Sequence, residues 1–405
     1  MNHKLPLLLL AGLATSTVAD AQLSLTKTSR KVRIEVINPS QEARADEPVW
    51  VAFPEGKYRS ATVMDGKREI ASQVDDLNEN GLPEELAFVV DLKPGEKKTL
   101  TLLFSEAEAP ADRYPARVHA QMFSRDKAAG TITPTDTAAS PTGDLYNSLH
   151  HHGPAFESEL MAYRLYFDRK QTVDLYGKYH KGLELAESLW YPTDEQLARG
   201  FGDDILRVSG SVGIGTLKGW NGSKAIHIDP VANREARILA KGPVRTVVDM
   251  NVTGWQYGGD TVDVKSRFTL YAGQRECEVL QLFPTAAGKN QTYVTGVQKI
   301  ADSRHISDGR GMTAVWGTDW PVNDTVKYAK QTVGLAVEIP QQYLAGEVED
   351  KVNYLYLIKP DANGEIRYRM TVCAEKEDFG VKTADDFFRY VEEWKEKKPV
   401  TVRLK

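Results

Sequence analysis

The chain has 405 residues, a formal net charge of −5 and two cysteines. A chain of this length needs no disulfide staples to hold a core, and two cysteines supply neither a disulfide framework nor a metal-type Cys pair. The acidic balance argues against nucleic acid as the main partner, so a polyanionic ligand has to be met by a local basic patch.

Residues 1–21 read as a signal peptide. Lys4 gives a positive start, residues 5–13 are an apolar run interrupted by Pro6 and Gly12, and Ala19-Asp20-Ala21 is a small-x-small cleavage site ahead of Gln22. The run is too short to remain as a membrane span, and no cysteine follows it to carry a lipid. The protein is therefore expected to be periplasmic or secreted, with no membrane insertion. Residues 22–107 alternate with period two, as in VRIEV (32–36) and TLTLL (99–103), and predict a small N-terminal β-sandwich. Residues 108–144, rich in Ala, Pro, Thr and Ser, read as a connecting segment. Residues 145–405 carry a long series of strands, and so many antiparallel strands usually split into packed sheets. Within them Asn363-Gly364 predicts a hairpin, and residues 384–397 behind Thr383 predict a helix. The expected fold is mainly β: a large antiparallel sandwich of the galactose mutarotase and polysaccharide-lyase type, with a smaller N-terminal sandwich.

The informative stretch starts at His150, His151 and His152. Strand patterns follow at 161–168 (MAYRLYFD) and 172–178 (TVDLYGK). Met161, Tyr163, Leu165, Val173 and Leu175 share an apolar face; Arg164, Tyr166, Asp174, Tyr176 and Lys178 share the polar one. A three-residue loop at 169–171 pairs Tyr166 with Asp174 and Arg164 with Tyr176, and a one-residue slip would bury the charges. Two phenols, a guanidinium, an ammonium and imidazoles are the parts needed to handle an acidic sugar. Arginine can hold a carboxylate through paired hydrogen bonds. The neutralised carboxylate makes its α-proton more acidic, and His or Tyr can move protons. A half-exposed hairpin stabilised by cross-strand Arg–Tyr pairs has the same composition. As metal ligands His150 and His152 would share a strand face, but no third ligand is evident, so no metal or other cofactor is expected. A structural loop remains the plain alternative.

Other features are weaker. Residues 210–215 (GSVGIG) lack the ending of a phosphate loop and read as a segment of close backbone approach. Trp190-Tyr191, Trp220 and the tryptophans at 255, 316 and 320 lie near turns where rings can stack on sugars. His119, His227 and His305 are isolated, with His305 in a polar loop from which it can reach a site. Glu157 and Glu159 are the nearest carboxylate pair for a hydrolase.

Residues 151–159 (HHGPAFESE), 162–168 (AYRLYFD) and 174–178 (DLYGK) resemble the core signature of the family called domain of unknown function 4861. Residues 72–77 (SQVDDL), 84–88 (EELAF) and 204–208 (DILRV), with Gly213 and Gly215, extend the resemblance over most of the chain. It implies an exported protein of polysaccharide-degrading bacteria, a large β-sandwich, and dehydration of terminal uronic acid residues. The leading expectation is a carbon–oxygen lyase acting on uronate-containing oligosaccharides. Arg164 and Lys178 would bind the carboxylate, with Trp220 and His305 as further substrate contacts. His151 or His152 would exchange protons with Tyr166 or Tyr176. A non-catalytic sugar-binding protein and a glycoside hydrolase are the alternatives.

Overall fold

The computed structural model describes residues 31–405 apart from Glu55 and Lys327, so the expected signal peptide lies outside the described residues. Period-two alternation becomes strand through most of the chain, with 48 % strand and 9 % helix. A five-stranded sheet that includes Lys31–Ile37, Ser60–Asp65 and Lys97–Ser105 faces a three-stranded sheet of Arg44–Ala52, Ser72–Asp75 and Glu85–Leu92. Ile34, Val49, Val63, Phe88 and Leu100 fill the space between them. The last strand, Thr401–Leu404, pairs with Lys31–Ile37. Residues expected in the large sandwich thus close the small one.

Nine antiparallel strands form the main sheet, from Thr137–Ser140 at one edge to Arg304–Ser307 at the other. Two five-stranded sheets lie against it. Phe268, Val279 and Tyr368 of the main sheet share one core with Tyr163 and Leu175 of the first and Tyr293 and Tyr356 of the second. Each such side chain contributes roughly 1.5–3 kcal/mol on burial, so this shared core holds the layers together. Segment 108–144 is woven into both layers. Its strand Val118–Gln121 pairs with Ala155–Ser158, and Thr137–Ser140 pairs with Asn233–Lys241.

Local signals act as chemistry requires, with one exception. Gly258 and Gly259 have φ of 63° and 87° and join the long strands Arg245–Tyr257 and Asp260–Tyr271, as a two-residue hairpin loop demands. The helix Ala384–Glu396 starts where Thr383 accepts the Asp386 N–H at 3.1 Å, and Phe387, Val391 and Trp394 pack on the outer face of the main sheet. Gly213 lies where a Cβ would meet the Val173 carbonyl at 2.4 Å; the glycine-rich segment is a close backbone approach. The exception is Asn363-Gly364. It makes a turn but no hairpin, because Asn353–Ile358 pairs within a five-stranded sheet and Glu365–Ala374 within the main one. Turn chemistry reverses the chain; packing of the flanking side chains chooses the partner strand.

Arg245 joins the small sandwich to the main sheet. It is 3 % exposed, donates from Nε to Asp75 at 2.7 Å and from Nη2 to Glu85 at 2.6 Å, and touches the Tyr271 hydroxyl at 3.0 Å. Gln73 Oε1 accepts the Val244 and Arg245 N–H groups at 2.6 and 2.8 Å beside it. Arg245→Met leaves two acidic groups facing an apolar side chain. It is expected to destabilise the protein by about 3–5 kcal/mol, read as a lower urea midpoint at unchanged slope.

Candidate functional site

The strands Ala155–Ser158, Met161–Leu165 and Val173–Gly177 form the middle of one five-stranded sheet, flanked by Val118–Gln121 and Asp203–Asp204. Met161, Tyr163, Leu165, Val173 and Leu175 enter the main core, and Arg164, Asp174 and Tyr176 take the opposite face, as alternation predicts. The register is two residues off the expected one: Arg164 lies opposite Asp174 and Ala162 opposite Tyr176. Tyr166 pairs with Thr172 through a 3.1 Å backbone bond, so the loop is 167–171. Asp168 Oδ1 closes it by accepting the N–H of Lys170 at 2.8 Å and of Gln171 at 3.1 Å, with Gln171 at φ 49°. A two-residue shift keeps every side chain on its face, which is why alternation alone could not detect it.

The polar face is not open to solvent along its length. Segment 182–191, with the short helix Leu185–Ser188, covers one half. Beneath it Lys178 Nζ pairs with Glu157 at 2.5 Å and donates to the Ser158 carbonyl at 2.6 Å; both side chains are 0 % exposed. Glu157 also accepts the N–H groups of Glu184 and Leu185 at 2.7–3.0 Å. Tyr176 is fully buried and its hydroxyl donates to Glu184 at 2.7 Å; burial, then Glu184, pushes its pKa up. Lys178 and Tyr176, expected at the site, are structural anchors for the covering segment. Glu157 is equally committed and Glu159 pairs with Arg117, so neither is free to serve as a hydrolase carboxylate.

The other half of the face is bordered by the rings of His150, His152, Tyr146, Tyr166 and Tyr191. His150–His152 forms a single 3-10 turn, not the strand face considered for a metal site, with His151 at φ 41° and His152 at φ 69°. Gly153 follows where a Cβ would meet the Leu165 carbonyl at 1.9 Å. There the Phe167 N–H bonds His152 O at 2.8 Å and the Leu165 N–H bonds Pro154 O at 3.0 Å. Leu189 and Trp190, on the facing segment, are also left-handed at φ 48° and 76°. Non-glycine residues held this way cost of order 1–3 kcal/mol each and concentrate at functional sites.

The histidines differ in role. His151 is 1 % exposed, against Phe123 and Trp190 and 3.4 Å from Gln121 Nε2. It is sealed from any substrate, which corrects its expected catalytic role. His152 stacks on Tyr146 at 3.8 Å, with Nδ1 2.7 Å from the Tyr146 carbonyl. A carbonyl can only accept, so the proton is on Nδ1 and Nε2 presents a lone pair. His150 Nε2 faces the Leu189 carbonyl at 3.2 Å in the same way. Burial, aided by the Arg164 charge, holds all three imidazoles below the ordinary histidine range.

Arg164 lies buried among the Tyr166, Trp190 and Tyr191 rings at 2 % exposure. It donates to the Tyr166 hydroxyl at 2.8 Å, to the Tyr191 hydroxyl at 3.0 Å and to Asp174. Asp204 is 3.7 Å away and the Trp190 ring 4.3 Å. The Tyr166 hydroxyl donates to Asp174 at 2.6 Å, and Trp190 Nε1 donates to Asp204 at 2.6 Å. Burial pushes the Asp204 carboxyl up to about 7 against the pull of Arg164. Arg164 is therefore already engaged, and its action is to polarise two phenols. Tyr191, 46 % exposed, accepts from Arg164 and keeps its own proton for another partner. Loop aromatics were the only sequence signal for it; nothing marked Tyr146.

Trp220 and His305 lie elsewhere. Trp220 is in another sheet beside Val212, Val294 and Leu355, and His305 stacks on Tyr354 at 3.6 Å while bonding Thr313 at 2.9 Å. Among the described residues no three His, Cys, Asp or Glu side chains converge as metal ligands. A cavity of about 370 Å³ beside Tyr179, His180 and Asp203, and one of about 450 Å³ beside Gln73 and Tyr114, lie away from the histidine turn.

Fold and site together define a multi-sheet β-sandwich protein with a strained, aromatic-walled polar site. The chain belongs to the family described as "Domain of unknown function (DUF4861)", which matches residues 36–402. No curated protein matches it. It is similar to a solved protein in glycosyl hydrolase family 38 from Enterococcus faecalis, at 10 % identity and TM-score 0.49 over 93 % of this chain and 48 % of that one. An alpha-mannosidase from Enterococcus faecalis V583 is similar at 10 % identity and TM-score 0.46, over 93 % and 46 %. The chain spans about half the length of these solved structures.

Two outcomes are expected of the buried groups. Lys178→Met strands the Glu157 charge and should cost about 3–5 kcal/mol by urea denaturation. His151 has its folded pKa below the unfolded one, so the unfolded state binds the extra proton and wild-type stability falls as pH drops below about 6.5. Asn tolerates the left-handed backbone at this position. The stability gap between wild type and His151→Asn should therefore narrow toward pH 5, by up to about 1.4 kcal/mol per unit.

Proposed function

We propose that the protein is a carbon–oxygen lyase that eliminates water from a uronic acid residue at the end of an oligosaccharide, outside the cytoplasm. The observation that carries this reading is the meeting of a neutral imidazole lone pair, His152 Nε2, with a phenol proton held ready on Tyr191 by Arg164. The His152 ring lies 6.5 Å from the Tyr191 ring and 6.0 Å from that of Tyr166, so a single sugar lying across their edges can meet both groups. His152 takes the proton from the carbon next to the carboxylate. The electron pair forms the C4=C5 double bond as the C4–O bond breaks, and Tyr191 protonates the departing oxygen. Proton return from imidazolium to phenolate through water restores the site. A free C4 hydroxyl leaves as water; a glycosidic oxygen there would make the same chemistry chain cleavage. Tyr191, 46 % exposed, supplies a ring for sugar stacking. Export rests on the N-terminal residues alone.

Incubation with uronate-terminated oligosaccharides, followed by mass spectrometry and near-ultraviolet absorbance, is expected to show loss of one water with new enoate absorbance. His152→Ala and Tyr191→Phe should each lower kcat by about 10²–10⁴ while the fold persists. Full turnover in both variants, or no enoate from any uronate, removes the reading. Measured binding without chemistry would favour a sugar-binding protein.

A further inference from the structure

The loop beside the Tyr146 and Tyr166 rings rests on buried positive charge with little to balance it. Lys218 is 1 % exposed and Arg234 is 0 % exposed. Among the described residues neither forms an ion pair; Asp168 acts on both through space, and Asp229 and Asp144 also act on Arg234. They grip neutral oxygens of the loop instead. Lys218 Nζ donates to the Lys170 carbonyl and lies 3.3 Å from Thr172 Oγ1. Arg234 Nε donates to Gln171 Oε1 at 3.0 Å, and its other nitrogens donate to the Gly143 and Ile228 carbonyls. Asp168 closes the same loop from inside. Burial penalises both charges, pulling Lys218 down to about 7 and Arg234 to about 10, yet both side chains are kept to fix one short loop.

That loop presents Lys170. Its Nζ is 5.5 Å from the Tyr166 ring centre and 5.9 Å from that of Tyr146, the ring on which His152 stacks. Its side chain is 27 % exposed, and its ion pair with Asp168 is loose at 3.5 Å. Arg164 and Lys178 are engaged with their own carboxylates. We infer that Lys170 is the residue that receives the substrate's carboxylate, and that Lys218 and Arg234 are positioning residues which hold its loop. This deepens the elimination reading and takes from it the choice of a uronate.

Calorimetry with a glucuronate-terminated disaccharide and its carboxyl-reduced neutral counterpart tests the assignment. Wild type should bind the acid about tenfold or more tightly than the neutral sugar, the worth of one charge-assisted contact. K170Q should lose that preference with unchanged affinity for the neutral sugar, and K170R should retain most of it. K218M should lower the preference without altering neutral-sugar binding, a selectivity change that mere loosening of the fold would not produce. Equal binding of both sugars by wild type, or full acid preference in K170Q, overturns the inference. If K170Q loses the preference but wild type forms no enoate, the elimination reading fails and Lys170 stands. Enoate formation with the same KM in K170Q means the reverse.

Discussion

The site depends on one buried guanidinium. Arg164 cannot be left at 2 % exposure without partners, because an uncompensated buried charge costs several kcal/mol. Its surroundings answer that demand in order. Asp174 stands directly across the strand pair, Asp204 arrives on the next strand, and two phenol oxygens and the Trp190 face take the remaining directions. A pairing register that placed Arg164 opposite Tyr176 would have removed the nearest carboxylate. The two-residue shift thus has an electrostatic reason as well as a loop one.

The same polar face is put to two uses. Where the covering segment closes over it, Lys178, Glu157, Tyr176 and Glu184 form a sealed network that satisfies backbone N–H groups of the cover. Where the cover turns away, at the left-handed Leu189 and Trp190, Tyr191 swings out beside His152. The sealed half gives the open half its rigidity. Trp190 bridges them, packed on Tyr176 at 5.6 Å and on Arg164 at 4.3 Å.

Period-two patterning was enough to read the β class and the face on which Arg164, Tyr166, Asp174, Tyr176 and Lys178 lie, and the cap at Thr383 marked the helix behind it. Those are local properties, set by side-chain direction and caps. What covers a face is set by distant residues, so the burial of Lys178 and Tyr176 under segment 182–191 left no local mark. The Asn363-Gly364 turn failed as a hairpin for the same reason. Trp220 and His305 were drawn in by residue type alone, and the folding of separate sheets put them elsewhere. The histidine triplet was legible as unusual, but not the left-handed turn that buries His151 and exposes the edge of His152. Gly153 was the available clue, since it has to admit the Leu165 carbonyl.

An elimination near neutral pH asks for a base without its proton and an acid that still has one, side by side. Burial supplies both, because desolvation penalises whichever form is charged. It pushes the imidazoles of His150, His151 and His152 down, toward the neutral base, and the phenols of Tyr146, Tyr166 and Tyr191 up, toward the neutral acid. Arg164 offsets the second effect at all three phenols through its charge, and at Tyr191 its hydrogen bond adds to that. Desolvation therefore sets the protonation states at rest; of the two hydroxyls that Arg164 bonds, Tyr166 donates to Asp174, which leaves Tyr191 as the phenol with a proton to give.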